Sequence, residues 1–236
     1  MAGPPVGGID GILAPGRGLS VGDRLGTAGR VRAVAGEGDT TSTAYSERLA
    51  TLSGARWKRL VDVQRPYRWN LRRLIGQRRT LDVGCGIGRN LANLPPGSVG
   101  VDHNPTSVEL CRKQGFQAET SAEFLARTPE ETTPFDAMLV AHVVEHLDEG
   151  AAADVIRPYL AYVRPGSPVV LICPQERGFA SDATHTVFTD HAALRALVAE
   201  LGLTFRREFS FPLPRFTGKV FTYNEFVTVA ATASRS

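Results

Sequence analysis

Hydrophobic positions change their rhythm near residue 80 of this chain. Before it, apolar residues fall at Tyr45, Leu49 and Leu52, then Trp57, Leu60 and Val61, then Tyr67, Leu71, Leu74 and Ile75. These spacings are mostly three or four residues and predict two or three helices between Thr43 and Gly76. Beyond it, short apolar runs alternate with amphipathic stretches. Strands are expected at Thr80–Val83, Ser98–Val101, Gln117–Ala118, Phe135–Ala141 and Val169–Cys173, and helices at Asn90–Leu94, Pro105–Gln114, Ala122–Ala126, Val143–Val163 and Asp190–Glu200. Repeated strand and helix imply a parallel sheet covered on both faces, a Rossmann-like, doubly wound α/β fold. Two further strand-like runs, Leu203–Phe209 and Tyr223–Ala230, flank the proline-bearing stretch Phe211–Gly218 and predict a hairpin-type end with a C-terminal antiparallel strand.

Residues 1–42 carry no sustained period. Eleven of the 24 glycines lie within the first 40 residues, which reads as a flexible extension, although Val31–Val34 is compatible with a short strand. The expected organisation is that extension followed by one domain at 43–236, whose first part, 43–79, forms a helical cap.

Charge and cysteine usage narrow the picture. Twenty-seven basic against 24 acidic residues leave a formal charge of +3, too even a balance for a protein devoted to coating a phosphate backbone. The exception is local: nine basic residues between Arg56 and Arg79 face the single acid Asp62. Either a solvated helix face or attraction of an anionic ligand or nucleic acid explains this stripe. Three cysteines, Cys85, Cys111 and Cys173, without a CxxC pair fit neither a disulfide framework nor a structural zinc site. No apolar run approaches the roughly 20 residues of a membrane span, and no secretory signal pattern opens the chain. A cytoplasmic protein is expected.

The segment Leu81-Asp82-Val83-Gly84-Cys85-Gly86-Ile87-Gly88 sets three alternating glycines where a strand turns toward a helix, so backbone can approach a ligand closely. Twenty residues after Asp82, at the end of the next strand, stands Asp102. A carboxylate at that spacing meets ribose hydroxyls in doubly wound sheets. Arg89 stands where a dinucleotide-binding GxGxxG loop requires a small residue. The acid Asp82, just ahead of the glycines, opposes a pyrophosphate and suits a ligand with an ammonium group. A cationic sulfonium ligand, S-adenosylmethionine (SAM), is favoured over NAD.

The strings LDVGCGIGRNL, GVDHNP and FDAMLVAHVVEHL, with the terminal antiparallel strand, resemble those of the class I SAM-dependent methyltransferases over about residues 45–230. That resemblance implies that the loop Gly84, Cys85, Gly86 and Gly88 holds the methionine part, that Asp82 orients its amino group, that Asp102 takes the ribose diol, and that the Ser121-Ala122-Glu123 turn meets the adenine edge.

The second motif is His142-Val143-Val144-Glu145-His146, expected to open a helix after the fourth strand, with its three polar side chains on one face. It matches the HxxEH of inverted zinc peptidases, but those need it inside a long helix rather than at a strand's end beside a SAM loop. Active sites of open α/β sheets lie at the C-terminal ends of the strands, so the cluster should face the transferable methyl. A hydroxyl acceptor must lose its proton as oxygen attacks, and His142, Glu145 and His146 are the candidate catalytic groups. Either His142 or His146 could take the proton.

With the downstream His185, the motif resembles the ExxEH and later histidine of small-RNA 2′-O-methyltransferases. That likeness implies a divalent ion, magnesium or manganese, held by His142, Glu145, His146 and His185. Three longer strings, SGARWKRLVDVQRPYRWNLRRL, CPQERGFASDATHTVFTDH and SFPLPRFTGKVFTYNEF, are similar to those of actinobacterial sugar 1-O-methyltransferases of methylmannose polysaccharide synthesis. They imply methylation of the 1-hydroxyl of a short, 3-O-methylated mannoside. Trp57, Tyr67 and Trp69, interleaved with Arg65, Arg68 and Arg72, would then serve as stacking faces for an oligosaccharide, or else anchor the cap. Competing readings are an RNA 2′-O-methyltransferase and a SAM-binding protein without turnover.

Overall fold

The computed structural model describes residues 64–234. The glycine-rich extension, the possible strand Val31–Val34, Trp57 and the cap as far as residue 63 therefore lie outside the described residues.

The cap's last helix, α1 (Arg65–Ile75), buries Asn70, Leu71, Leu74 and Ile75 on one stripe. Strand β1 (Thr80–Val83) follows, then β2 (Val99–Asp102), α2 (Pro105–Lys113), β3 (Ala118–Thr120), α3 (Ser121–Leu125) and β4 (Ala137–Ala141). The second half contains α4 (Ala152–Leu160), β5 (Pro168–Pro174), the short α5 (Glu176–Phe179), α6 (His191–Glu200), β6 (Thr204–Phe211) and β7 (Glu225–Ala231). The seven strands stand in the order β3-β2-β1-β4-β5-β7-β6. Strands β1 to β5 pair in parallel, whereas β7 runs antiparallel to β5 and to β6. The expected doubly wound sheet with an antiparallel end is present, and its direction of winding reverses between β1 and β4. That reversal opens a crevice at the C-terminal ends of these two strands.

Burial on both faces explains the near-continuous apolar strands. Leu81, Val83, Met138 and Val140 pack with Phe124, Phe135, Ile156 and Leu194 on one face. Ala137, Leu139 and Ile172 meet Leu71, Leu74 and Ile75 of α1 on the other. Helix starts are chemically marked: Asn104 Oδ1 accepts the N–H of Thr106 at 2.9 Å ahead of α2, and Asp190 Oδ1 accepts from Ala192 and Ala193 at 2.9 and 3.0 Å ahead of α6.

Two predicted helices are corrected. Asn90–Leu94 is only a 3-10 turn over Leu91–Asn93, because Leu94, preceding Pro95, is driven to extended backbone with ψ 155°. Val143–Val163 is not one helix. A 3-10 turn over Val144–His146 ends at the extended Leu147, and α4 begins only after Gly150, whose φ of +83° reverses the chain.

Candidate functional site

Two loops meet in the crevice, one after β1 and one after β4. The first is the glycine loop. The N–H groups of Gly84 and Cys85 both donate to Val101 O of β2, at 2.7 and 3.1 Å, and the Gly86 N–H donates to Asp102 Oδ2 at 2.8 Å. Asp102 Oδ1 accepts the N–H of Asn104 at 2.9 Å. The acid is thus built into the loop it faces, 7 % exposed, with lone pairs remaining on both oxygens for further donors.

The glycines divide by role. A methyl group at Gly84 would stand 2.2 Å from Val143 Cγ2, so this glycine lets the two loops touch. A methyl at Gly86 would meet nothing within 4 Å, and the residue has φ +53°. Gly86 therefore presents bare backbone to open space beside a carboxylate, the cradle that a ribose-bearing ligand requires. Gly88 packs against Phe116 and Cys111. Cys85 turns its thiol into the apolar cluster of Leu91, Val108 and Cys111, so only its backbone belongs to the loop surface.

Asp82 lies beneath the loop rather than on it. It is fully buried, and neither carboxylate oxygen has a hydrogen-bond partner of good geometry among the described residues. Burial, followed by the charge of Asp102, pushes its carboxyl up to about 8, against a smaller downward pull from Asn90. Asp82 is thus a buried carboxyl under the loop, with its proton held up to about neutral pH.

The Ser121-Ala122-Glu123 turn follows directly from β3. Register pairs Asp102 with Thr120, so Ser121 and Ala122 begin just beyond the end of β2 that carries Asp102. Glu123, however, is spent locally: its Oε2 accepts the Thr120 N–H at 2.7 Å and an Arg112 guanidinium N–H at 2.9 Å, closing a capping box on α3. The Thr120 backbone bond holds its carboxyl below the usual range.

The loop after β4 carries the histidine motif, and here the helical-face reading fails. His142 has φ +59°, the only left-handed non-glycine among the described residues. With a 3-10 turn over Val144–His146 following, the motif has no continuous helical face. His142 Nδ1 lies 3.2 Å from Glu145 Oε1, and Nε2 lies 3.0 Å from Glu225 Oε1 at the start of β7. Burial works to lower its pKa, but bonds to both carboxylates outweigh that and push the imidazole up to about 10. Both ring nitrogens of His142 are thus engaged by carboxylates, an arrangement that favours the imidazolium over a ring with an open lone pair.

Glu145, His146 and His185 do converge, each offering a ligand atom within 4.8 Å of the others. His142 is not part of that group. Glu145 is fully buried; burial would raise its pKa, but the bond and charge of His142 bring it below the usual value, and Oε2 has no hydrogen-bond partner among the described residues. Burial pushes His146 down, toward the neutral imidazole. Its Nδ1 faces Thr184 O at 3.2 Å, and Nδ1 of His185 faces Phe179 O at 2.8 Å. A carbonyl only accepts, so Nδ1 carries a proton in both rings and Nε2 is the atom each ring would offer a metal. Metal-ligating histidines are oriented in this way. A buried carboxylate oxygen lacking a donor, next to two such rings, fits a divalent cation.

Sequence reasoning missed Glu225. Its only signal was an acid opening the last strand after the proline-bearing loop.

Residues 80–166 match the methyltransferase domain family. The ubiquinone biosynthesis O-methyltransferase of Marinobacter nauticus is 28% identical over 99 residues. That match takes in 38% of this chain, which spans about two fifths (41%) of the relative's length. A SAM-dependent methyltransferase from Archaeoglobus fulgidus superposes with TM-score 0.54 at 22% identity, over 70% of this chain and 93% of that one. The magnesium protoporphyrin IX methyltransferase of Synechocystis PCC 6803, solved with bound SAM, gives 0.56 at 15% identity, over 82% and 93%. A TehB-like SAM-dependent methyltransferase from Corynebacterium glutamicum gives 0.55 at 21% identity, over 81% and 100%. The fold is that of the class I SAM-dependent methyltransferases. No helix among the described residues is long and apolar enough to cross a membrane.

Proposed function

We propose that this class I methyltransferase fold serves a SAM-dependent O-methyltransferase that acts on a sugar hydroxyl with the help of a divalent cation. The observation that carries the reading is the trio Glu145, His146 and His185, assembled next to the glycine loop through the contact of Val143 with Gly84. A methyl acceptor that already has a reactive lone pair needs no such group. A hydroxyl does, because its proton must leave as oxygen attacks.

SAM, when bound, supplies an electrophilic methyl on a sulfonium. Gly86 and Asp102 would hold its ribose, with the Thr120–Ala122 turn along the adenine. A divalent cation, when bound by Glu145 Oε2 and the Nε2 atoms of His146 and His185, supplies Lewis-acid activation of the acceptor hydroxyl. The chain's own contributions are separable. Glu145 brings buried negative charge, His146 a neutral imidazole, and the protonated His142 a fixed counter-charge that keeps Glu145 ionised. Proton removal falls to His146 or to solvent, not to His142.

A sugar acceptor is supported by the aromatic groups near the same edge. Tyr67 donates its hydroxyl to Tyr223 O, and Trp69, 56 % exposed, stacks on Phe211 with centroids 6.5 Å apart. The exposed ring of Trp69 suits the apolar face of a pyranoside. This extends to the 3-O-methylated mannoside implied by the sequence resemblance. The test is to incubate the protein with methyl-labelled SAM and manganese, offering a short mannoside, RNA and a phenolic ring in parallel. Label in the mannoside is expected. Label in RNA, or in the phenolic ring, would replace the sugar; no transfer to any acceptor would reduce the protein to a SAM binder.

A further inference from the structure

We infer that Glu225 is a positioning residue that, through His142, sets which oxygen of Glu145 is left for a cation. The inference rests on the cation reading above and extends it to a residue on the last strand.

Three features point to this role. His142 is held in a costly left-handed conformation, φ +59°, while its N–H donates to Ile172 O of β5 at 2.9 Å. Strain of this kind persists only where the surroundings over-determine it. Here the surroundings are two carboxylates, Glu145 Oε1 at 3.2 Å and Glu225 Oε1 at 3.0 Å, one on each ring nitrogen. A ring engaged at both nitrogens cannot rotate without breaking one contact, so its Nδ1–H stays aimed at Oε1 of Glu145. Oε2 is then the oxygen without a partner among the described residues.

Glu225 itself is anchored. It opens β7 opposite Pro174 and Phe211, and the fully buried Gln175 clamps the backbone there. Gln175 Nε2 donates to Glu225 O at 3.0 Å and to Ser210 Oγ at 2.8 Å, while its Oε1 accepts from Asn224 Nδ2 at 2.8 Å. A buried amide pair with its hydrogen bonds satisfied is rigid, and so is the strand start it holds. The chain of contacts runs from this pair to Glu225, then to His142 and to Glu145. An outer residue that orients a ligand in this way contributes to metal affinity without touching the metal.

The experiment measures Mn²⁺ affinity of the full chain by electron paramagnetic resonance, with SAM affinity and thermal stability alongside. Glu225→Ala should weaken Mn²⁺ binding about 10-fold or more while SAM affinity stays at the parent value. Glu225→Gln keeps an oxygen for the His142 Nε2–H and should recover most of the loss. Glu225→Asp keeps the charge but shortens the reach, and should bind Mn²⁺ as poorly as the alanine variant; it carries the test if that variant does not fold. Because Glu225 acts through His142, the double variant with His142→Ala should bind no more weakly than His142→Ala alone. Parent-like Mn²⁺ affinity in Glu225→Ala or Glu225→Asp, or additive losses in the double variant, would overturn the inference and leave the cation site intact. A parent protein that binds no Mn²⁺ overturns the site and the positioning role together.

Discussion

Val143 Cγ2 occupies the space that a side chain at Gly84 would need, 2.2 Å from where its Cβ would stand. The loop that cradles SAM in the proposed reading and the loop that carries the histidine motif are therefore one packed unit, and a change in either is felt by the other.

Gly84→Ala and Gly86→Ala should separate packing from ligand space. The first forces Val143 aside at a position of φ +75° and should cost about 1 to 3 kcal/mol of stability. The second meets no neighbour, so its cost is only the left-handed backbone, roughly 1 to 2 kcal/mol. Thermal melts with and without SAM check this. Gly86→Ala is expected to lose most of the SAM-induced rise in Tm despite its smaller effect on the apoprotein.

Asp102→Asn should weaken SAM binding at least tenfold, since losing even one charge-assisted hydrogen bond is worth about 1.5 to 3 kcal/mol. Asp102→Ala should be worse, because it also releases the Gly86 and Asn104 N–H groups. Calorimetric titration reads both, and unchanged affinity in either variant would remove Asp102 from the site.

The unpartnered Asp82 makes a prediction about pH. Its carboxyl is raised to about 8 in the folded protein, against roughly 3.9 in an unfolded chain. Between these values the unfolded state has released a proton that the folded state keeps, so this group lowers stability as pH rises and its effect levels off above pH 8. Asp82→Asn should therefore be more stable than the parent apoprotein at pH 8, with the advantage shrinking toward pH 4. Denaturant midpoints across that range test it; a constant difference would mean that Asp82 is ionised throughout.

Removal of divalent cations should abolish turnover, and magnesium or manganese should restore it. His146→Ala and His185→Ala are expected to regain part of their activity at high metal concentration, whereas Glu145→Gln, which loses the buried charge, should fall by about 10²-fold or more without rescue. Full turnover in excess EDTA would leave the cluster with an acid–base or structural role only.

Local pattern determined much of this protein. Alternating apolar runs and helical spacings specify strands and helices because each must bury one face, and the order of those elements limits the sheet to a doubly wound arrangement with an antiparallel end. The glycines, and Asp102 twenty residues after Asp82, were legible for the same reason: the strand-turn-strand geometry spanning them is short and stereotyped. Grouping of the polar residues was a tertiary decision. The motif at 142–146 carries helical spacing, yet the chain leaves β4 through a left-handed residue and a 3-10 turn, so His142 bonds Glu145 from outside the trio of Glu145, His146 and His185. His185 joins the latter pair from a loop after β5, and Glu225 reaches His142 across 83 residues because β7 turns back antiparallel beside β5. Spacing along a chain reports only neighbours within an element; which distant side chains meet depends on strand order and register, and these are set by packing of the whole sheet.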